Sequence, residues 1–203
     1  MKRVVTAQDI PAGGELRIPV GSIVTASARE VAADRGVRIV ELPEDQVSAL
    51  APPEKTIAMG ADHGGFRLKE ALKPLVASLG FEVRDVGVNE EKPADYPDLA
   101  LKVAQIVAAG TAARGILIDG AGIGSSIAAN KVPGIRAALC YDKASARNSR
   151  EHNDANVLTL GARLLTETQA EEVVRTWLAT AFGGGRHQAR VQKISEIERQ
   201  YLK

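Results

Sequence analysis

Cysteine is nearly absent: Cys140 is the one thiol in 203 residues. A single thiol excludes an intramolecular disulfide. No signal-peptide pattern opens the sequence, so a reducing, cytoplasmic setting is expected. Cys140 lies in the apolar run 135–140 and reads as a small buried hydrophobe. Aromatic residues are scarce at 3 %, so the core must be built from Ala, Val, Ile and Leu. No apolar run approaches the ~20 residues that span a bilayer. Excess charge is also lacking. The formal net charge is +1, with no Lys/Arg block and no interleaving of basic and aromatic residues, which argues against a nucleic-acid or membrane surface. What is present is ordinary for a soluble globular protein: 45 % hydrophobic and 25 % charged residues.

The composition breaks at residues 44–54, where Pro52-Pro53 forces extended backbone and reads as a linker. It separates a small N-terminal α+β extension, 1–43, from a larger domain, 55–203. The extension reads as strand, turn, strand, helix, strand. Its turn is at Gly13-Gly14, its strands at 15–19 and 37–40, and its helix at 28–34, capped by Thr25 or Ser27 and stopped by Gly36. The larger domain alternates. Strands are expected at 56–60, 81–86, 115–118, 135–140 and 157–160. Helices are expected at 66–79, 96–109, 125–131, 144–151, 168–181 and 191–203. Such alternation predicts an α/β fold, a doubly wound parallel sheet with helices on both faces, whose ligands bind at the carboxyl ends of the strands.

Chemistry-bearing residues gather at those ends. The first strand runs into Gly60-Ala-Asp62-His63-Gly64-Gly65, and the third into Asp119-Gly120-Ala121-Gly122-Ile123-Gly124-Ser125. Arg150-Glu-His152-Asn153-Asp154 follows the fourth helix, Gly161-Ala-Arg163 the fifth strand, and Gly185-Arg186-His187-Gln-Ala-Arg190 lies near the end. Alternating glycines ahead of a helix let backbone N–H groups converge, so an anion is the expected guest: a phosphate or an enediolate oxygen. The dinucleotide fingerprint fails, because the sixth position counted from Gly120 is Ser125 and from Gly122 is Ile127. The Walker pattern fails as well, for want of Gly-Lys-Ser/Thr. All three histidines, His63, His152 and His187, fall in these segments. Arg163, Arg186 and Arg190 can hold a phosphate through forked, charge-assisted hydrogen bonds.

These segments, with Asp95-Tyr96-Pro-Asp98, Ser126-Ile-Ala-Ala-Asn-Lys131 and Gly134-Ile-Arg-Ala-Ala-Leu-Cys140, resemble the ribose-5-phosphate isomerase B family, which includes the galactose-6-phosphate isomerase subunits. The likeness covers 55–198. It implies an aldose–ketose isomerase acting on a sugar phosphate through a cis-enediol, without metal or organic cofactor. It also implies a homodimer, or a dimer of such dimers, with sites shared between subunits. By this resemblance His152 helps open the sugar ring and Asp62, His63, Tyr96 and Asn153 line the sugar site. The backbone of Gly120, Gly122, Gly124 and Ser125 stabilises the enediolate, and Arg163, Arg186 and Arg190 hold the phosphate.

The sequence departs from the family where many members carry a cysteine base at the end of strand three. Asp119 stands there, and it is the expected replacement, since a carboxylate can take a proton α to a carbonyl. The family's threonine two residues on is Ala121, and the glutamate base of another branch is Ser125. Loss of the threonine points to a substrate that needs no ring opening, such as a four-carbon sugar phosphate. Residues 13–32 are similar to leader modules of bacterial microcompartment enzymes, which implies docking to a shell or cargo partner within a microcompartment. The rival readings are a non-catalytic sugar-phosphate binder and a microcompartment assembly protein.

Overall fold

The computed structural model describes residues 4–10, 15–43 and 55–201. The expected turn at Gly13-Gly14 and the linker at 44–54 lie outside the described residues. The chain divides into two compact units, Met1–Ala51 and Pro52–Lys203.

The first unit holds β1 (Val4–Val5), a 3-10 turn at Ala7–Asp9, β2 (Glu15–Pro19), β3 (Ile23–Val24), α1 (Ala26–Asp34) and β4 (Arg38–Leu42). Two parallel pairs form, β1 with β3 and β2 with β4. Thr25 caps α1 by accepting from Ala28 N–H at 3.2 Å, which settles the choice of cap against Ser27. Gly36 leaves the helix with φ +61°. Val5, Ile10, Ile18, Ala28, Ala32 and Val37 make a small core of their own.

The second unit holds β5 (Thr56–Ala61), α2 (Phe66–Ser78), β6 (Glu82–Asp85), α3 (Tyr96–Ala108), β7 (Arg114–Asp119), α4 (Ile123–Ala129), β8 (Ala137–Leu139), α5 (Lys143–Glu151), β9 (Val157–Gly161), α6 (Glu167–Ala179) and α7 (Arg186–Tyr201). The sheet runs β6-β5-β7-β9-β8 with every pair parallel. Strand alternation separates two cores. Ile57, Met59, Ile116, Ile118, Leu158 and Leu160 meet α2, α5 and α6 on one face. Ala58, Leu117 and Val157 meet α3 and α4 on the other. The fold is therefore doubly wound α/β, with helices on both faces.

Of the boundaries that differ from the sequence reading, three have a local reason. α4 starts at Ile123, ahead of Ser125, because Gly122 takes φ +77° and caps it. α7 starts at Arg186 and not Val191, because Gly184 and Gly185 turn the chain at φ +58° and +51°. Arg186, His187 and Arg190 are thus helical residues, not loop residues. β8 shrinks to Ala137–Leu139. Just ahead of it, Arg136 N–H donates to the Asn156 side chain at 2.8 Å, and the Asn130 side chain flanks the first strand residue, accepting from Ala137 N–H at 2.8 Å and donating to the Ala137 carbonyl at 2.9 Å.

Candidate active site

The order of the sheet reverses between β5 and β7, and a crevice opens there at the carboxyl ends of the strands. β5 delivers Asp62 and His63, β7 delivers Asp119 and the glycine loop, and β9 delivers Arg163. Asp62 is buried and accepts from Gly65 N–H at 3.0 Å, which fixes the turn into α2. His63 Nδ1 accepts from Ala94 N–H at 3.3 Å, tying the turn to the connection that precedes α3. That connection leads into Tyr96, the first residue of α3. A Cβ on Gly124 would lie 2.4 Å from Tyr96 Cε2, so the glycine is what lets the phenol ring rest on the start of α4.

Asp119 is buried at 5 % exposure. Its Oδ1 accepts from Ala121 N–H at 2.8 Å and from Gly122 N–H, and its Oδ2 accepts from Ser125 N–H at 3.0 Å. The loop does gather N–H groups around an anion, but the anion held by these three is the Asp119 carboxylate. The alternating glycines lead one to expect those groups to point outward, at a phosphate or an enediolate oxygen. The difference arises because Gly122, in the left-handed region, folds the loop back over the end of β7.

Arg163 lies over this loop. Its N–H donates to the Gly120 carbonyl at 3.0 Å, and a Cβ on Gly120 would be 3.5 Å from Arg163 Nε. Beside it is a cleft of about 490 Å³, lined by His63, Arg67, Glu91, Arg163 and Glu167 among others. Arg67 and Glu91 form a forked pair across its rim. The hydrogen bond from Arg67 holds the Glu91 carboxyl below its ordinary value.

The remaining candidates form a second set. His152 ends α5, and its Nδ1 is 2.9 Å from Asn148 Nδ2. Its ring stacks on His187 with centroids 4.1 Å apart and planes 7° from parallel. Partial burial, then the charges of His152, Arg186 and Arg190, push the His187 imidazole below its ordinary value, and Glu151 opposes them. Asn153 and Asp154 follow. Asp154 takes φ +47° and is gripped by Arg150 at 2.8 Å and Arg136 at 3.0 Å. Under this turn, Arg114 is lowered to about 10 by burial and by Arg150.

The structure thus brings Asp62, His63, Tyr96, Asp119, Gly120, Gly122, Gly124, Ser125 and Arg163 together, and separately His152, Asn153, Arg186 and Arg190. Among the described residues no hydrogen bond, ion pair or ring contact joins the two sets. No role for His187 follows from the sequence, because the ring stack that ties it to His152 joins residues far apart in the chain and leaves no local pattern.

A family model described as Ribose/Galactose Isomerase matches residues 57–194. Ribose-5-phosphate isomerase B of Escherichia coli is 47 % identical over 144 residues, 71 % of this chain and 97 % of that protein. D-erythrulose-4-phosphate isomerase of Pectobacterium atrosepticum is 41 % identical over 147 residues, 71 % of this chain and 96 % of that protein. Among solved structures, ribose-5-phosphate isomerase B of Clostridium thermocellum superposes with a TM-score of 0.71 at 52 % identity, covering 72 % of this chain and 99 % of that one. The type B ribose 5-phosphate isomerase of Trypanosoma brucei gives 0.69 at 47 % identity, over 70 % and 98 %.

Proposed function

Because the chain belongs to the ribose/galactose isomerase family, we propose that it interconverts an aldose phosphate and its ketose, of the ribose 5-phosphate/ribulose 5-phosphate type, through a cis-enediol. The observation that carries this reading is a buried carboxylate, Asp119, at the switch point of the sheet, in the position that the family resemblance gives to a base.

Asp119 removes the proton from C2 of the open-chain aldose. The C2–H electrons form the C1–C2 double bond while the aldehyde oxygen takes a proton, giving the enediol. Return of the carbon-bound proton to C1, with loss of the O2 proton, gives the ketose. A carboxylate has about four lone-pair sites. Oδ1 fills two with Ala121 and Gly122, and Oδ2 fills one with Ser125. The remaining Oδ2 lone pair is the one for the carbon-bound proton. At His152, donation from Asn148 to Nδ1 leaves the proton of the neutral ring on Nε2, where it can be passed to a ring oxygen. Arg163, Arg186 and Arg190 hold the phosphate.

The split between the two residue sets supports a homodimer in which each set completes the partner subunit's. The N-terminal unit contains no candidate site residue and has its own core, which supports a docking role toward a microcompartment shell or cargo.

A second reading rests on the three N–H bonds: Asp119 serves as anchor of the loop and not as base. Asp119→Asn and Asp119→Cys separate the two, read by incorporation of deuterium from D2O into substrate. The base reading expects no exchange with asparagine and measurable exchange with cysteine, whose thiolate is a base that cannot reproduce three N–H bonds. Near-normal exchange in Asp119→Asn overturns it.

A further inference from the structure

Tyr141 stands just beyond β8 and has no part in the chemistry described so far. Its ring is 39 % exposed, and its hydroxyl donates to the Ala121 carbonyl at 2.9 Å. That carbonyl belongs to the Ala121–Gly122 peptide, whose other end is the Gly122 N–H that donates to Asp119 Oδ1. A trans peptide is planar, with C=O and N–H pointing in opposite directions. Holding the oxygen outward therefore aims the N–H inward, at the carboxylate.

This peptide needs such a hold. Rotating it in place changes the ψ of Ala121 and the φ of Gly122 together, and glycine accepts either sign of φ at little cost. The flipped form would withdraw a donor from Asp119 and turn a carbonyl oxygen toward the carboxylate. The notch that receives the carbonyl is shaped on its other side by Gly161, where a Cβ would come within 2.6 Å of the Ala121 oxygen.

We propose that Tyr141 is a positioning residue for the isomerisation: its hydroxyl latches the Ala121–Gly122 peptide and so keeps the Gly122 N–H on Asp119. The inference rests on the function proposed above for Asp119. It adds that the direction in which Asp119 faces substrate depends on a side chain that touches no reacting atom.

Tyr141→Phe removes only the hydroxyl. The expected result is a fall of about tenfold in kcat, the upper range for one hydrogen bond, with KM little changed. Exchange of the Gly122 amide proton with solvent, followed by NMR, should speed up by a similar factor while amides in β5 and β7 keep their protection. A purely structural role for Tyr141 would instead lower the melting temperature and loosen amides throughout the sheet. Wild-type kcat in Tyr141→Phe overturns the proposal, as does unchanged Gly122 protection. If the wild-type protein turns over no sugar phosphate, the functional reading fails. The amide measurement then still decides whether the latch exists.

Discussion

His187 lies face to face with His152, between Arg186 and Arg190 in sequence on one side and Glu151 across the α5 terminus. Its depressed value means that the unfolded chain binds the proton first as pH falls. Stability is therefore fully present above the unfolded value of about 6.5 and is lost as pH drops through the lower folded value. An NMR titration should show His187 with a midpoint below that of a free imidazole, and Arg190→Gln should raise it; a midpoint at or above the free value contradicts the account. Gly122 supplies a second test at this scale. In Gly122→Ala the new methyl meets Leu139 Cδ1 at 2.6 Å and the Leu160 carbonyl carbon at 2.8 Å, on backbone at φ +77°. A cost of at least about 1–3 kcal/mol in chemical denaturation is expected, together with loss of turnover. The identity of Asp119 was legible in the sequence. Its hydrogen-bond partners were not, because they depend on how the three-residue loop 120–122 folds back on its own strand.

Helices α2 and α3 were legible because period and punctuation agree: Gly80 stops α2 at φ +86°, and Pro97 and Asp98 stand in the first turn of α3. The starts of α4 and α7 were not, because glycines in the left-handed region read as loop in sequence while in space they act as the first cap. The connection from β6 to α3 shows what periodicity misses. Lys69 on α2 has a side chain with 0 % exposure, and its Nζ donates to Asp85 Oδ2 at 2.6 Å and to the Val88 carbonyl at 2.8 Å. Burial pushes the Asp85 carboxyl up, but the hydrogen bonds from Lys69, Lys73 and Gly87 outweigh it and leave it below the ordinary value. Lys69 thus secures the stretch of backbone that leads to Tyr96. Lys69→Met leaves the Val88 carbonyl without its donor and leaves Asp85 with Lys73 and Gly87 alone; it should cost about 1–3 kcal/mol in urea unfolding, and adding Asp85→Asn should recover part of it. A loss below 1 kcal/mol would show the pair behaving like an exposed one.

The molecule as a whole consists of two units with separate cores, and the candidate site residues all belong to the second. Residues 52–203 alone should keep the turnover of the full chain and lose only association with a docking partner; loss of turnover on removal of 1–51 would contradict this division. Within the second unit the two residue sets predict complementation. Asp119→Asn and His152→Ala, each inactive alone, should regain about a quarter of wild-type activity when refolded together, as expected if half of the dimers are mixed and one of their two sites is intact. No recovery would place both sets in one subunit's site. The central claim, that this protein moves a carbon-bound proton within a sugar phosphate, is tested most directly by incubating the purified full chain in D2O with four-, five- and six-carbon aldose phosphates and following deuterium by NMR. The account predicts conversion of one of them to its ketose, with deuterium at C1 of the ketose and C2 of the recovered aldose. Binding of these sugars without any incorporation would contradict it and leave a site that recognises the phosphate but performs no isomerisation.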